Sequence, residues 1–247
     1  MKEVRFFYVP NASSVCELPD EEAQHAVRVL RMEMGDEMML MDGEGTFYRA
    51  IVTEATKKRC LYRIEETLPQ MRQWQPQLHL AMAPTKNMDR TEWFAEKATE
   101  IGFDELTFLK CRWSERTVIK TERVEKILVS AMKQSHKAWK PMLNEMVDFK
   151  TFLQDIEEKE KASGKELQKF ICHCYDEEEL GTKVALKDAV KSGEDVLVLV
   201  GPEGDFSIDE VKLAESKGFQ SVTLGKSRLR TETAALVAVH IMNLMNQ

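Results

Sequence analysis

VLVLVGPEGDFSIDEV, residues 196–211, decides the fold class of this chain. Its first five residues are apolar at every position, the pattern of a strand buried on both faces, as central strands of parallel sheets are. Gly201-Pro202-Glu203-Gly204 stops that strand. Ser207-Ile208-Asp209-Glu210 then has the spacing of a capping box, with Ser207 as N-cap and Glu210 answering it, so a helix opens at once. Ligands of such sheets sit beyond the carboxyl ends of the strands, where glycines let them approach the backbone. The loop from Gly201 to Gly204 therefore reads either as a pocket wall or as a strand-to-helix turn with good stop and start chemistry.

The same grammar extends outward on both sides. LHLAMA (78–83) is a strand, Asp89 to Ile101 a helix ended by Gly102, ELTFLK (105–110) a strand, and Thr121 to Lys137 a helix. After a polar helix come the strands KFICHCY (169–175) and VLVLV, a helix from Ser207 to Lys217, the strand SVTL (221–224) and a last helix from Thr231. This alternation specifies an α/β domain with a mostly parallel sheet covered on both faces. The last helix runs from Ala234 to Met242 almost without polar interruption, so it lies wholly inside the core, or half inside and half against a partner subunit. His240 within it is expected to be a hydrogen-bonded interior residue.

The first third is built differently. Strands at Arg5–Val9, Met38–Met41, Thr46–Thr53 and Leu61–Glu65, a turn at Asp42-Gly43-Glu44-Gly45 and one helix at Asp20–Arg31 suggest a small β-barrel. Leu68 to Pro76 holds two prolines and no useful periodicity, which makes it the expected linker. Residues 1–72 and 73–247 are thus expected to be two domains.

Composition narrows the function. The chain has 247 residues and a formal charge of −7, which by itself disfavours nucleic acid, yet residues 110–140 carry nine Lys or Arg against three Glu, interleaved with Trp113, Trp139 and His136. That segment reads as a solvated face or as a nucleic-acid contact. Five cysteines with no CxxC pair argue against a disulfide framework and a structural zinc site. In Cys172-His173-Cys174 alternate strand residues face opposite ways, so no metal is expected there. With neither a signal peptide nor a membrane-length apolar run, the expectation is a cytosolic protein. There is no GxxxxGK[ST] or GxGxxG loop, which disfavours ordinary nucleotide-binding sheets.

GPEGDFSIDEV and LGKSRLRTETAA (224–235) together resemble the C-terminal motifs of the SPOUT class of methyltransferases. Within that class they are similar to the RsmE-type enzymes, which methylate N3 of a uridine in 16S small-subunit ribosomal RNA. The likeness extends upstream: HAVRVLRMEMGDEMMLMDGEGTFYRA (25–50) resembles that family's PUA-like RNA-binding domain. TKNMDRTEWFAEKATEIGFDELTFL (85–109) with Ser114-Glu115-Arg116 resembles the start of its catalytic domain. Two stretches depart from the pattern. Asp205 stands where a second glycine is expected after GPEG, and QSHKAW (134–139) stands in place of a Gln-Ser-Gly-Arg-like run.

The resemblance implies a PUA-like β-barrel at 1–72, a SPOUT α/β domain with a trefoil knot at 73–247, a homodimer, and S-adenosyl-L-methionine as cofactor without a metal. It places the cofactor among the strand end at His173–Tyr175, the loop 201–204 and the segment 224–231. Its cofactor-binding residues would be Cys174, Leu199, Gly201, Pro202, Gly204, Leu224, Gly225, Ser227, Leu229 and Thr231. A uridine N3 is a poor nucleophile until it loses its proton, so a cation near the uracil oxygens would help. Arg116 and Arg230 are the candidates, with Glu203, or less readily Glu100, orienting base or arginine. His25, Arg28 and Arg31, spaced by three on the first helix, read as phosphate contacts or a solvated face. Lys133, His136, Lys137 and Lys140 form a second candidate RNA surface. The alternatives are a SPOUT enzyme acting on another RNA and a non-catalytic ribosome-assembly factor.

Overall fold

The computed structural model describes residues 5–247, apart from the Glu177 side chain. The chain packs as two units: one runs to Arg72 and takes in Val129–Lys140, and the other comprises Gln73–Leu128 and Pro141–Gln247. The segment 129–140, placed by sequence within the later part of the chain, thus groups with the first unit.

The first unit is a four-stranded sheet in the order β1 (Phe6–Tyr8), β2 (Glu37–Met41), β3 (Thr46–Ala55), β4 (Cys60–Pro69). β1 runs parallel to β2, and the other pairs are antiparallel. The expected turn between β2 and β3 forms because Asp42 Oδ1 accepts from the amides of Glu44 and Thr46, at 2.8 and 3.0 Å. Phe7, Met38, Leu40, Ala50, Val52 and Tyr62 make its core. The expected single helix over 20–31 is shorter: α1 (Asp20–Gln24) passes into a π-helical turn over His25–Val29, and Arg31 lies beyond it at φ 55°. Leu68 and Pro69, assigned by sequence to the linker, instead extend β4, paired with Phe47 and Thr46. Trp74 is buried within the second unit, its Nε1 donating to Asp104 Oδ2 at 2.7 Å.

The second unit contains a sheet in the order β10-β12-β9-β11-β5-β6-β7, with β8 also pairing β6 and every pair parallel. In chain order its elements are β5 (Leu78–Met82), α2 (Met88–Ile101), β6 (Glu105–Lys110), α3 (Thr121–Gln134), β7 (Met142–Leu143), β8 (Val147–Asp148), α4 (Phe149–Ser163) and β9 (Gln168–Cys172). There follow α5 (Glu177–Leu180), β10 (Val184–Ala185), α6 (Leu186–Ala189), β11 (Val196–Val200), α7 (Ile208–Ser216), β12 (Gln220–Thr223) and α8 (Thr231–Leu244). The last residues of α3, from Val129 on, group with the first unit.

β11 is central, between β9 and β5, and its side chains alternate between two cores. Val196, Val198 and Val200 pack with Phe94, Ala235, Val239 and Met242 of α2 and α8. Leu197 and Leu199 pack with Phe152, Phe206, Val211 and Ala214 of the α4 and α7 side. All five are buried, a contribution of about 10 kcal/mol at roughly 2 kcal/mol per side chain. A charge at Leu197 would break this layer. The α7 capping box forms as expected: Ser207 Oγ accepts from Glu210 N, and Glu210 Oε2 accepts from Ser207 N at 2.8 Å. α2 is capped by Asn87, whose Oδ1 accepts from Asp89 N.

α8 buries Ala235, Ala238, Val239 and Met242, while Leu236, Val237 and Ile241 are half-buried and Leu244 is exposed. His240 is exposed, not interior, because it falls on the outer side of this helix. Among the described residues no helix is long and apolar enough to cross a membrane.

Candidate active site

Three neighbouring strands, β12, β9 and β11, end at the same edge of the second unit. A cavity of about 870 Å3 opens there. Its walls are residues 172–176 after β9, 200–203 and Asp205 after β11, and 222–231 between β12 and α8, joined by Arg90, Lys183 and Ala234. The ladder ends at Val200↔Cys172 and Val222↔Cys172, so the expected strand KFICHCY stops at Cys172 and His173–Tyr175 turn outward as loop.

The loops are tied to one another. Asp205 adopts φ 66°, a left-handed conformation. Its Oδ1 accepts from the next amide, Phe206 N, at 2.8 Å, and its Oδ2 accepts from Cys174 N at 2.7 Å. Tyr175 OH donates to Phe206 O at 2.7 Å, and Lys183 Nζ donates to the carbonyls of His173 and Tyr175. His173 is buried, with Nε2 3.0 Å from Ser221 Oγ, and Ser221 in turn donates to Glu215. Burial first, then the Lys183 charge, holds the His173 imidazole below its usual range. Burial pushes the Cys172 thiol up to about 12 and raises Cys174 as well, so neither is a thiolate at neutral pH. Among the described residues no group of His, Cys, Asp and Glu could hold a metal.

Gly201 is required by a close approach within its own loop. A Cβ there would lie 2.9 Å from Phe206 N and 3.1 Å from the Phe206 ring. The third loop is looser: Gly225 through Arg228 are exposed, and a Cβ on Gly225 would meet nothing within 4 Å.

Cys174, Gly201, Pro202, Leu224, Gly225, Ser227, Leu229 and Thr231 all line the cavity, as do Glu203 and Arg230. Two expected cofactor residues do not. Leu199 is sealed in the core because odd and even positions of β11 face opposite layers, both buried. Gly204 is not among the lining residues and packs under Trp113, whose Cβ would be 3.0 Å from a Cβ there. Arg116 also stands outside the lining. Its Nε and Nη2 donate to the carbonyls of Thr85 (3.2 Å) and Lys86 (2.6 Å), and Lys86 N donates to Glu203 Oε1 at 2.8 Å. Arg116 and Glu203 therefore meet through the segment that follows β5. Glu100 pairs with Lys97 at 2.8 Å on α2 and is no part of the cavity wall.

Arg90 and Lys183 line the cavity without any local signal in the sequence. Arg90 belongs to the first turn of α2, and its Nε is 3.8 Å from Glu232 Oε1 of α8, a pairing only the fold creates.

The expected RNA residues all belong to the first unit. His25 and Arg28 are exposed on the π-helical turn, but Arg31 is off its end, so the three do not share a helical stripe. Lys133 is committed to Glu22 at 2.5 Å, and Lys137 is half-buried, its ammonium lowered by desolvation. His136 is exposed at φ 51° and stacks on Phe6, ring centroids 4.2 Å apart. Trp139 is packed against Gly45 with the Arg72 guanidinium 4.3 Å from its ring.

Comparison with known proteins gives this geometry a lineage. Residues 72–243 match the model of an RNA methyltransferase domain, and residues 18–65 match an RNA methyltransferase PUA domain. The ribosomal RNA small subunit methyltransferase E of Synechocystis is 30% identical over 234 residues, covering 92% of this chain and 72% of the relative. A probable rRNA-methyltransferase from Porphyromonas gingivalis superposes with a TM-score of 0.88 at 38% identity, covering 98% of each chain. The ribosomal RNA small subunit methyltransferase E of Neisseria gonorrhoeae, solved bound to S-adenosyl methionine, superposes with a TM-score of 0.83 at 26% identity over 98% of each chain. With both units matched in chain order and the motif loops gathered around one cavity, the chain belongs to the ribosomal RNA small subunit methyltransferase E family.

Proposed function

We propose that the cavity at the ends of β9, β11 and β12 holds S-adenosyl-L-methionine and that the protein methylates N3 of a uridine in 16S ribosomal RNA. The observation that carries this reading is the convergence of the three motif loops on one cavity of about 870 Å3, within the range of small-molecule sites. The residues fit such a guest: Leu224 and Leu229 offer apolar walls to an adenine, and the backbone of 201–202 and 224–227 offers peptide groups to its edges. The cofactor supplies an activated methyl group on a sulfonium, so the acceptor nitrogen needs alignment and loss of its proton.

The chain's own groups act on the uracil. Arg230, exposed at the cavity edge, presents a cation to the uracil oxygens and stabilises the anion left when N3 is deprotonated. Arg116 fixes the Thr85–Lys86 segment, and Glu203 accepts from the Lys86 amide, so both hold the rim against which the base is aligned. An arginine has five N–H donors, and these two carbonyl bonds use two of them. The base reaches the cavity unpaired, since N3 is on its pairing edge.

In this reading residues 1–72 are an RNA-binding domain and 73–247 the catalytic domain, threaded as a trefoil knot. The proximity of the 224–231 loop to 173–176 and 201–205 supports the threading. His25, Arg28, Arg31, His136, Lys137 and Lys140 contact RNA phosphates. The outer side of α8, with Val237 and Leu244, pairs two copies into a homodimer in the cytoplasm. Incubating the protein with labelled cofactor and small ribosomal subunits lacking the modification, followed by mass spectrometry of rRNA fragments, tests the reading. A single N3-methyluridine is expected. Label on ribose, on another base or nowhere overturns it.

A further inference from the structure

Trp113 follows β6 in the second unit, at the carboxyl end of a strand in the cavity-bearing sheet, and it is 49% exposed. Single exposed apolar side chains are ordinary. This one stands on a turn whose backbone is tied down. The turn that carries it is fixed at both ends: Cys111 N donates to Ser114 Oγ at 3.0 Å and Ser114 N to Cys111 O at 3.1 Å. Arg112 N donates to Glu210 Oε1 at 2.8 Å, so the buried carboxylate that caps α7 also anchors this turn. The root of the Trp113 side chain packs on Gly204, next to cavity-lining Glu203 and Asp205. The Arg112 guanidinium carbon is 5.0 Å from the indole centroid, and Arg116 follows three residues on.

A rigid, half-open indole backed by a guanidinium is the chemistry that receives a flat π-system. A base drawn out of its stack to reach a methyl donor leaves stacking energy behind, and an aromatic platform beside the cavity restores it. We propose that Trp113, extended by Arg112, is a stacking platform for an unpaired RNA base next to the methyl-transfer cavity, an inference that rests on the cofactor and RNA reading above. Any base can use such a face, so the platform adds affinity and alignment without selecting sequence.

The test uses the full chain with Trp113→Leu, which keeps apolar bulk on Gly204 but removes the ring, and Trp113→Phe, which keeps a ring. The KM for small subunits lacking the modification and the Kd for S-adenosyl-L-methionine are measured for each. Trp113→Leu is expected to raise the RNA KM about fivefold or more, the lower end of one lost base stack, with cofactor Kd unchanged. Trp113→Phe is expected to recover most of the loss. An unchanged RNA KM in Trp113→Leu overturns the proposal. Parallel loss of cofactor affinity also overturns it, because Trp113 would then only prop the Gly204 loop. Failure of wild type to bind the cofactor would instead sink the cavity reading. Quenching of tryptophan emission by single-stranded oligouridylate, present in wild type and weaker in Trp113→Phe, still decides the stacking claim in that case.

Discussion

Asp205 and His136 share one backbone demand and meet it in different ways. Each stands where the sequence pattern calls for glycine, and each adopts a left-handed conformation, φ 66° and 51°. For a residue with a Cβ that conformation costs about 1–2 kcal/mol unless something offsets it. Asp205 offsets it locally and across the cavity, one carboxylate oxygen accepting from Phe206 N and the other from Cys174 N. His136 offsets it by stacking on Phe6 inside the first unit. A departure from a glycine pattern is thus informative about its surroundings: in the second unit the added side chain joins two loops that line one cavity, and in the first it joins a turn to a strand.

The largest effect is expected at the rim beyond Asp205. Arg116→Ala removes the clamp on Thr85 and Lys86 and should lower kcat by about a hundredfold through misplacement of the rim, with cofactor affinity retained. Equal losses of kcat and affinity, measured by methyl transfer and calorimetry, would show that the clamp shapes the cavity itself. Gly201→Val comes next. A side chain there must displace the Phe206 backbone, and overpacking of about 1–3 kcal/mol would weaken cofactor binding by up to about a hundredfold. Unchanged affinity in a calorimetric titration would move the site elsewhere.

Asp205→Gly sharpens the contrast directly. It relieves the left-handed strain but removes two bonds to a carboxylate, each of about 1.5–3 kcal/mol, so stability should fall by about 1–5 kcal/mol, with a melting temperature several degrees lower, and the cofactor Kd should rise about tenfold. A tighter-binding variant would mean that the Cys174–Asp205 link is dispensable. His136→Gly should have the smallest effect. Lost stacking of about 0.5–1.5 kcal/mol opposes the relieved strain, leaving stability within about 1 kcal/mol and cofactor affinity untouched. A change in cofactor Kd on this substitution would end the division of roles between the two residues.

Elements whose signals are local were legible beforehand. The alternation of strands and helices, the capping box at Ser207 and Glu210, the turn at Asp42 and the glycine that ends α2 all depend on residues within a few positions of one another. The failures share a cause. The helix at 20–31 gives way to a π-helical turn, the strand 169–175 ends early when its neighbours end, and His240 faces outward because packing, not hydropathy, chooses the side. The family resemblance implied Leu199 at the cofactor, yet strand alternation points its side chain into the opposite core.

The chain's sequence alone determined that a buried strand at 196–200 runs into a tight loop and a capped helix, because hydrophobic period, loop glycine and cap chemistry are written in consecutive residues. Only the tertiary structure decided that Asp205 reaches Cys174, that Arg90 reaches Glu232 and that Arg116 reaches the segment after β5. Those partners are 31, 142 and 30 residues apart. No local pattern encodes such pairings, since they arise where parallel strands, ordered out of sequence, end side by side.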